Sequence, residues 1–244
     1  MSAPRGRGQA TAVEVVRVEG PESPVGVGDG TITVVRLDPA QVRPMLLTRE
    51  DGPPRPLPEW VRDESLIAGI NASMFLPDGR STGLLIDEGA MNNRRDNSRF
   101  GGFFSFRDGE TRFSGRGCAG FDLPSLRRSP NLLQNYRMFG CRGQPIRWAD
   151  DKHYSVAAFG GDRSGRILLI HSRTPYRVRD LNRMLARAEL GIRHLHFVEG
   201  GPEASLIVTR PEVQEVGSYE TDFNENDDNR RFWDLPNVLG FVAR

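Results

Sequence analysis

The stretch "HLHFVEGGPEASLIV" (residues 194–208) sets Glu199 and two glycines directly after an apolar run, with Glu203 four residues on and a second apolar run behind it. A carboxylate at the end of a buried strand, beside glycines that let a ligand approach the backbone, is a common setting for a catalytic group. The same residues also fit a turn in which Glu199 caps the chain or pairs with an arginine. His194 and His196 alternate on the preceding strand, so both rings share a face, and with Glu199 they sketch part of a metal site. Zinc would need a third convergent ligand, and the sequence singles none out. His196 near a pocket would line it or carry protons.

Other polar groups add to the set. Asn71 follows an apolar run and precedes Ser73; its amide would bond a ligand oxygen while orienting a carboxylate, or close a strand-end turn. Asn92, Asn93, Arg94, Arg95 and Arg99 form an amide and arginine cluster suited to an anion or to a solvated loop. "DFNENDDN" (222–229) offers oxygens at alternate positions, like the start of a calcium loop. Asp227 stands where an EF-hand requires glycine and Trp233 where it requires glutamate, which leaves a looser calcium site or an acidic loop.

Composition bounds the partners. Lys+Arg 33 against Asp+Glu 32 gives a net charge of +1 over 244 residues, so no global field draws the chain to nucleic acid or an anionic membrane. The balance hides two patches: eight arginines against four acids from Arg94 to Arg128, and eight acids against two arginines from Glu212 to Asp234. Lys152 is the single lysine. No P-loop lysine motif, GxSxG elbow, CxxC pair or aromatic-interleaved basic stripe occurs, which excludes the corresponding chemistries and nucleic-acid binding. No window approaches the roughly 20 apolar residues of a membrane helix. The start "MSAPRGRGQATA" lacks the apolar centre of a signal peptide, so the chain is expected to be cytosolic or to have lost a leader. Cys118 and Cys141 fit one disulfide or two free thiols.

Residues 1–12 read as a disordered tail and residues 13–244 as one domain. "VEVVRVEG" and "TITVVRLDP" predict a hairpin, and "PMLLTRE" a third strand. "EWVRDESLIAG" predicts a helix closed by Gly69, with "INASMF" a strand after it. The DEG and RDGE tetrads mark hairpin turns, and a short helix is expected near Leu123–Arg128. "YSVAAFGGDRSGRILLIHS" reads as a hairpin and "TPYRVRDLNRMLARAELG" as an amphipathic helix stopped by Gly191. "HLHFVEG", "ASLIVT" and "NVLGFVAR" complete the strands. About ten strands with two or three helices predict an α+β fold, a mixed β-sheet core covered by a few helices in a single domain.

Four of these segments, in order, resemble the phosphodiester glycosidase family. "INASMFLPDGRSTGLLIDEG" is similar to its Asn-Gly-Gly-Phe-Phe or Asn-Ala-Gly-Met-Phe segment and following strand, and "VAAFGGDRSGRILLIHS" to its strand pair. The helix from Val178 to Leu190 and "FVEGGPEASLIV" match its helix and its Leu-Asp-Gly-Gly-Gly-Ser-Ser-Thr-Leu motif. Glu199 replaces that motif's aspartate, Pro202 its third glycine and Glu203 its first serine; Tyr154-Ser155 replace Arg-Thr, and Gln134 lacks the Gly-Pro pair that follows the family's glutamine.

The resemblance implies a hydrolase that cleaves a sugar from a phosphodiester-linked or polysaccharide substrate. Such cleavage uses one carboxyl to protonate the leaving oxygen and another as nucleophile or base, although a phosphate leaves with less help. Glu199 is then expected as the essential carboxylate, Glu203 as a second acid or base, and Asn71 as the group positioning substrate or carboxylate. Backbone N–H groups at Gly200 and Gly201 would meet developing negative charge, and Ser73, His196, Gln134, Asn93 and Arg94 are expected to contact substrate. This chemistry requires no cofactor, with a calcium-like cation left as an option. The departures also fit a non-catalytic carbohydrate-binding or envelope-associated protein on the same fold. The family is largely exported, which implies an extracytoplasmic place and suits a Cys118–Cys141 disulfide.

Overall fold

In the computed structural model, which describes residues 11–244, the chain begins with strands β1 (Val13–Glu19), β2 (Thr31–Leu37), β3 (Val42–Leu47) and β4 (Arg55–Pro56), then helix α1 (Leu57–Asp63). Strands β5 (Ala68–Asn71), β6 (Leu85–Asp87), β7 (Ala90–Asn93), β8 (Gly102–Arg107) and β9 (Glu110–Gly115) follow, with α2 (Leu123–Leu126) behind them. Next come β10 (Asn131–Arg137), β11 (Tyr154–Asp162), β12 (Ile167–Tyr176), α3 (Val178–Arg187) and β13 (Ile192–Gly200). A 3-10 turn at Gly201–Glu203 leads to β14 (Ser205–Thr209), β15 (Glu212–Val216), β16 (Asp234–Leu235) and β17 (Val238–Ala243). Of the tail expected over residues 1–12, residues 1–10 lie outside the described residues; Ala12 O accepts a hydrogen bond from Asp38 N at 3.0 Å.

A ten-stranded sheet runs β1-β2-β12-β11-β13-β10-β6-β7, with β8 joined to β10 and β9 to β8. A five-stranded sheet runs β15-β14-β5-β17-β3. Every strand pair among the described residues is antiparallel, which corrects the expected mixed sheet. The connections explain it. Glu88-Gly89 (φ 44° and 85°) and Asp108-Gly109 (φ 51° and 83°) have positive φ at both positions, the two-residue turn geometry whose twist suits antiparallel neighbours. The crossover through α3 returns β13 on the far side of β11 from β12, so these two parallel strands never pair. Strands dominate, and the three helices among the described residues are only 7, 4 and 10 residues long, so the α+β expectation overstated the helical share.

The inner faces of the two large sheets share one core, in which Val35, Leu169 and Phe159 of the first meet Ile70, Leu206 and Phe241 of the second. The outer face of the ten-stranded sheet is covered by Val178, Leu181 and Leu185 of α3, and that of the five-stranded sheet by Leu57, Trp60 and Val61 of α1. Strands buried on both faces therefore read as nearly continuous apolar runs. Helix α1 ends at Asp63, before the expected stop. Gly69 lies inside β5, where a Cβ would stand 3.1 Å from Leu57 Cδ1, so the glycine serves the approach of helix to sheet.

Candidate functional site

The last residues of β13 open into a cleft of about 590 Å³. β13 pairs β11 with an irregularity at its end: Ala158 faces Phe197 while Ala157 faces Glu199, leaving Val198 as the extra residue. Such a bulge bends the strand and re-aims its side chains. Phe197 and Glu199 both line the cleft, while Val198 enters the core between the sheets.

Three carboxyls gather here. Glu199 and Glu220 line the cleft, and Glu203 sits just behind Gly201. Gly201 has φ +68°, and a Cβ on it would stand 2.7 Å from Glu220 Oε2 and 3.6 Å from Glu203 Oε2. Glycine is needed for both backbone and space. Burial, then the charges of Glu203 and Glu220, push Glu199 well above the usual carboxylate range, against an opposing hydrogen bond from Gly200 N. Burial likewise raises Glu203, with Glu220 adding to it, and raises Glu220, where Lys152 opposes and Asp150 assists. Like charges in a partly dry space share protons that isolated carboxylates release.

Glu220 is held by the segment around it. Ser155 Oγ accepts from Ser218 N at 3.0 Å and Tyr219 N at 3.3 Å, and donates to Arg173 O at 2.6 Å. Glu220 N donates to Asn224 O and Asn224 N donates back to Glu220 O, closing the turn. The walls are aromatic: Tyr136, Trp148, Tyr154 and Phe197 line the cleft, with Tyr136 and Trp148 5.5 Å apart in a T. Trp148 Nε1 donates to Tyr154 Oη at 3.2 Å, and that hydroxyl donates to Asp150 Oδ2 at 3.3 Å. Arg99, Arg137 and Arg147 also line the cleft, as does Asp150, and none of the three arginines is ion-paired among the described residues. Arg137 Nη1 also reaches Cys118 Sγ at 2.8 Å, in the Cys118–Cys141 disulfide.

Several expected contacts are structural instead. Asn71 is buried, donating from Nδ2 to Glu203 O at 3.0 Å and accepting at Oδ1 from Ser205 N at 2.8 Å, so it positions the Glu203 backbone and is spent there. Gln134 is fully buried with its amide saturated by the segment 84–100. Asn93 joins Ser81 O to Arg95 N. Arg94 lies in a separate hollow, and Arg99 is the arginine of that cluster that reaches the cleft. Ser73 is buried beside Met74 and does not line the cleft. Gly200 does line it, but its N–H is taken by Glu199 Oε1 at 3.1 Å, so it is no vacant donor.

His196 sits among Phe113, Phe159 and His194 in the core, without a hydrogen-bond partner on either ring nitrogen, and does not reach the cleft. Burial, then His194 and Arg137, pull its pKa down to about 3. Buried His171 is lowered as well, chiefly by burial. Both are neutral when folded. Because the unfolded chain binds the extra protons, both contribute stability that is full above the ordinary value of 6.5 and declines below it, the His196 share falling away as pH drops to about 3. A series of Tm measurements is expected to decline over that window, with the His196 ring signals unmoved in NMR down to about pH 4. Among the described residues no group of three His, Cys, Asp or Glu converges as a metal site. In the acidic loop, Asp227 Oδ1 accepts from Arg173 Nε at 2.8 Å, so the acid that stands where an EF-hand requires glycine is paired with an arginine.

The sequence profile of the phosphodiester glycosidase family matches residues 64–242. The chain belongs to the phosphodiester glycosidase family. No curated protein sequence matches it. Among solved structures, the zebrafish N-acetylglucosamine-1-phosphodiester alpha-N-acetylglucosaminidase catalytic domain, auto-inhibited by its pro-peptide, is similar with a TM-score of 0.68 and 14% identity, over 98% of this chain and 86% of that one. A hypothetical protein from Synechocystis gives 0.69 and 13% over 98% of this chain and 65% of that one. A candidate exported protein from Burkholderia pseudomallei gives 0.53 and 10% over 87% and 74%. At these identities the likeness is one of fold. No described helix is long and apolar enough to cross a membrane.

Within this phosphodiester glycosidase fold, Glu220, Asp150, Trp148 and Arg137 escaped the sequence reading. Glu220 belongs to the acid-rich segment that reads as a solvated face, and nothing local marks it out. Trp148 and Asp150 carry the available signal, an aromatic and acids in the unpatterned "RWADDKHY" between two strands.

Proposed function

We propose that this protein hydrolyses the glycosidic bond of a sugar joined to a phosphodiester or a polysaccharide, in the cleft at the end of β13. The observation that carries the reading is the pair of carboxyls in that cleft, Glu199 held well above its ordinary pKa and Glu220 facing the same space. Glu199 gives its proton to the leaving oxygen as the bond from the anomeric carbon breaks. Water attacks that carbon, and Glu220 takes the proton the water loses. Glu203 adds charge that keeps Glu199 protonated, and Asn71 fixes the Glu203 backbone. The aromatic walls hold the sugar ring, and the unpaired Arg99, Arg137 and Arg147 favour an anionic leaving group.

In this reading residues 13–244 work as one domain, since the two large sheets share one core behind the cleft. The chemistry draws on these side chains without a cofactor. The disulfide and the exported character ascribed to one structural relative support an extracytoplasmic setting.

The test is release of sugar from a panel of sugar-1-phosphodiesters, oligosaccharides and nitrophenyl glycosides by the full chain. Turnover on at least one class is expected. Saturable sugar binding with no turnover on any class would replace this reading with a carbohydrate-binding protein. Arg99→Gln is expected to raise KM for phosphodiesters about tenfold, the worth of one charge-assisted hydrogen bond, and to leave KM for neutral nitrophenyl glycosides nearly unchanged.

A further inference from the structure

The arginine-rich span from Arg94 to Arg128 is only partly used by the cleft. Its remainder converges elsewhere. On β8, Phe104 and Phe106 enter the core between the sheets, so Phe103, Ser105 and Arg107 lie on the opposite face. Ser105 pairs with Arg112 across β9, which puts Arg112 on that face as well. Helix α2 covers the face by packing Leu126 near Phe103.

Between them is a hollow of about 250 Å³ whose lining includes Arg107, Arg112 and Arg128 together with Ser105, Ser125 and Ser129, and no carboxylate. It shares no lining residue with the cleft. The three guanidinium groups are tethered by main-chain carbonyls: Arg107 Nη2 donates to Arg128 O at 2.8 Å, Arg112 Nη2 to Gly120 O at 3.1 Å, and Arg128 Nη1 to Pro124 O at 3.3 Å. None of the three is ion-paired among the described residues. Three like charges are thus held around one small space with most of their N–H donors unspent. An anion accepting from several forks at once would relieve the repulsion and use those donors.

We propose that this hollow is a second anion site, distinct from the cleft, that takes a tetrahedral phosphate or sulfate group. The volume admits such a group with the first atoms of its carrier, and serine hydroxyls can complete its coordination. The group comes either as a free inorganic ion or as an ester on an oligosaccharide, and the two sources differ in what the rim of the hollow meets. Neither depends on the cleft being catalytic.

The test is calorimetric titration of the full chain at low ionic strength with inorganic phosphate, and in parallel with a phosphorylated and a sulfated oligosaccharide. Saturable binding is expected, weakening with added salt and about tenfold weaker in the Arg107→Gln/Arg112→Gln variant, while Arg62→Gln on α1, exposed and outside both linings, leaves it unchanged. Tighter binding of the esterified oligosaccharide than of phosphate assigns the site to a glycan, and equal binding assigns it to the free ion. Ser125→Glu, which places a carboxylate in the hollow without removing an arginine, is expected to block both and guards against a double variant that fails to fold. Absence of saturable binding by the parent, or undiminished binding by folded variants, overturns the site. Absence of sugar release by the parent chain, with this binding intact, would count only against the proposed hydrolysis.

Discussion

Glu199→Gln is expected to lower kcat by about a hundredfold or more, the scale of a lost general acid, while sugar affinity changes by no more than a few fold. The amide keeps the shape of the carboxyl and can still accept from Gly200 N, so the end of β13 and the neighbouring wall at Phe197 stay in place. What it loses is the proton. A decline of this size in kcat without a matching rise in KM identifies an interaction made in the transition state rather than on binding. Equal activity in the variant would remove Glu199 from the chemistry and shift attention to Glu220.

The pH dependence gives the same experiment a second readout. An acid must be protonated, so the rate falls as pH rises through the elevated pKa of Glu199; a base must be ionised, so the rate falls as pH drops through that of Glu220. The two limbs belong to the carboxyl cluster as a coupled set. Glu199→Gln is expected to abolish the alkaline limb. At the acid limb Glu199 is already protonated and uncharged, so a neutral amide in its place leaves that limb where it was. A variant slowed a hundredfold with an unaltered bell would point to disturbed structure instead of a missing acid.

Periodicity exposed the frame around the cleft. β11, β12, α3 and β13 are all marked by runs whose spacing matches their burial, and the carboxylate at the end of β13 follows from the glycines beside it. The proposed partner carboxyl was not legible. Glu220 lies 21 residues beyond Glu199, in a turn held by Ser155 and Asn224, and neither contact leaves a mark in the local pattern. β15 was hidden for a related reason: "EVQEV" carries two glutamates on an edge strand whose apolar contribution is a buried Val213. Polar residues on strands are hard to place for another reason. Gln134, Asn71 and His196 have the composition of a binding site, but each points into the protein, and a single chain pattern cannot separate a polar group that greets a ligand from one satisfied by distant backbone.

Gln134→Ala makes that distinction measurable, and it is expected to cost about 4 kcal/mol of stability, a large share of the 5–15 that holds a domain together. Its carboxamide oxygen accepts from Leu84 N and Asn97 N, both at 3.0 Å, and its nitrogen donates to Asp96 Oδ1, Asn97 O and Phe100 O at 2.6, 2.8 and 2.9 Å. Truncation strands Leu84 N, Asn97 N and Phe100 O, each costing about 1–3 kcal/mol before the segment relaxes, while Asp96 Oδ1 keeps Arg116 Nη2 and Asn97 O keeps Phe100 N. The relaxation has its own consequence, because Arg99 stands inside the loop that Gln134 ties down. KM for phosphodiesters should therefore rise with the loss of stability, as in Arg99→Gln, while the alkaline limb set by Glu199 stays where it was. A thermal scan, for which a drop of about 8–16 °C is expected, together with a pH profile at a temperature where the variant is folded, separates this from a substrate contact. A glutamine that touched sugar directly would lower affinity with Tm almost untouched.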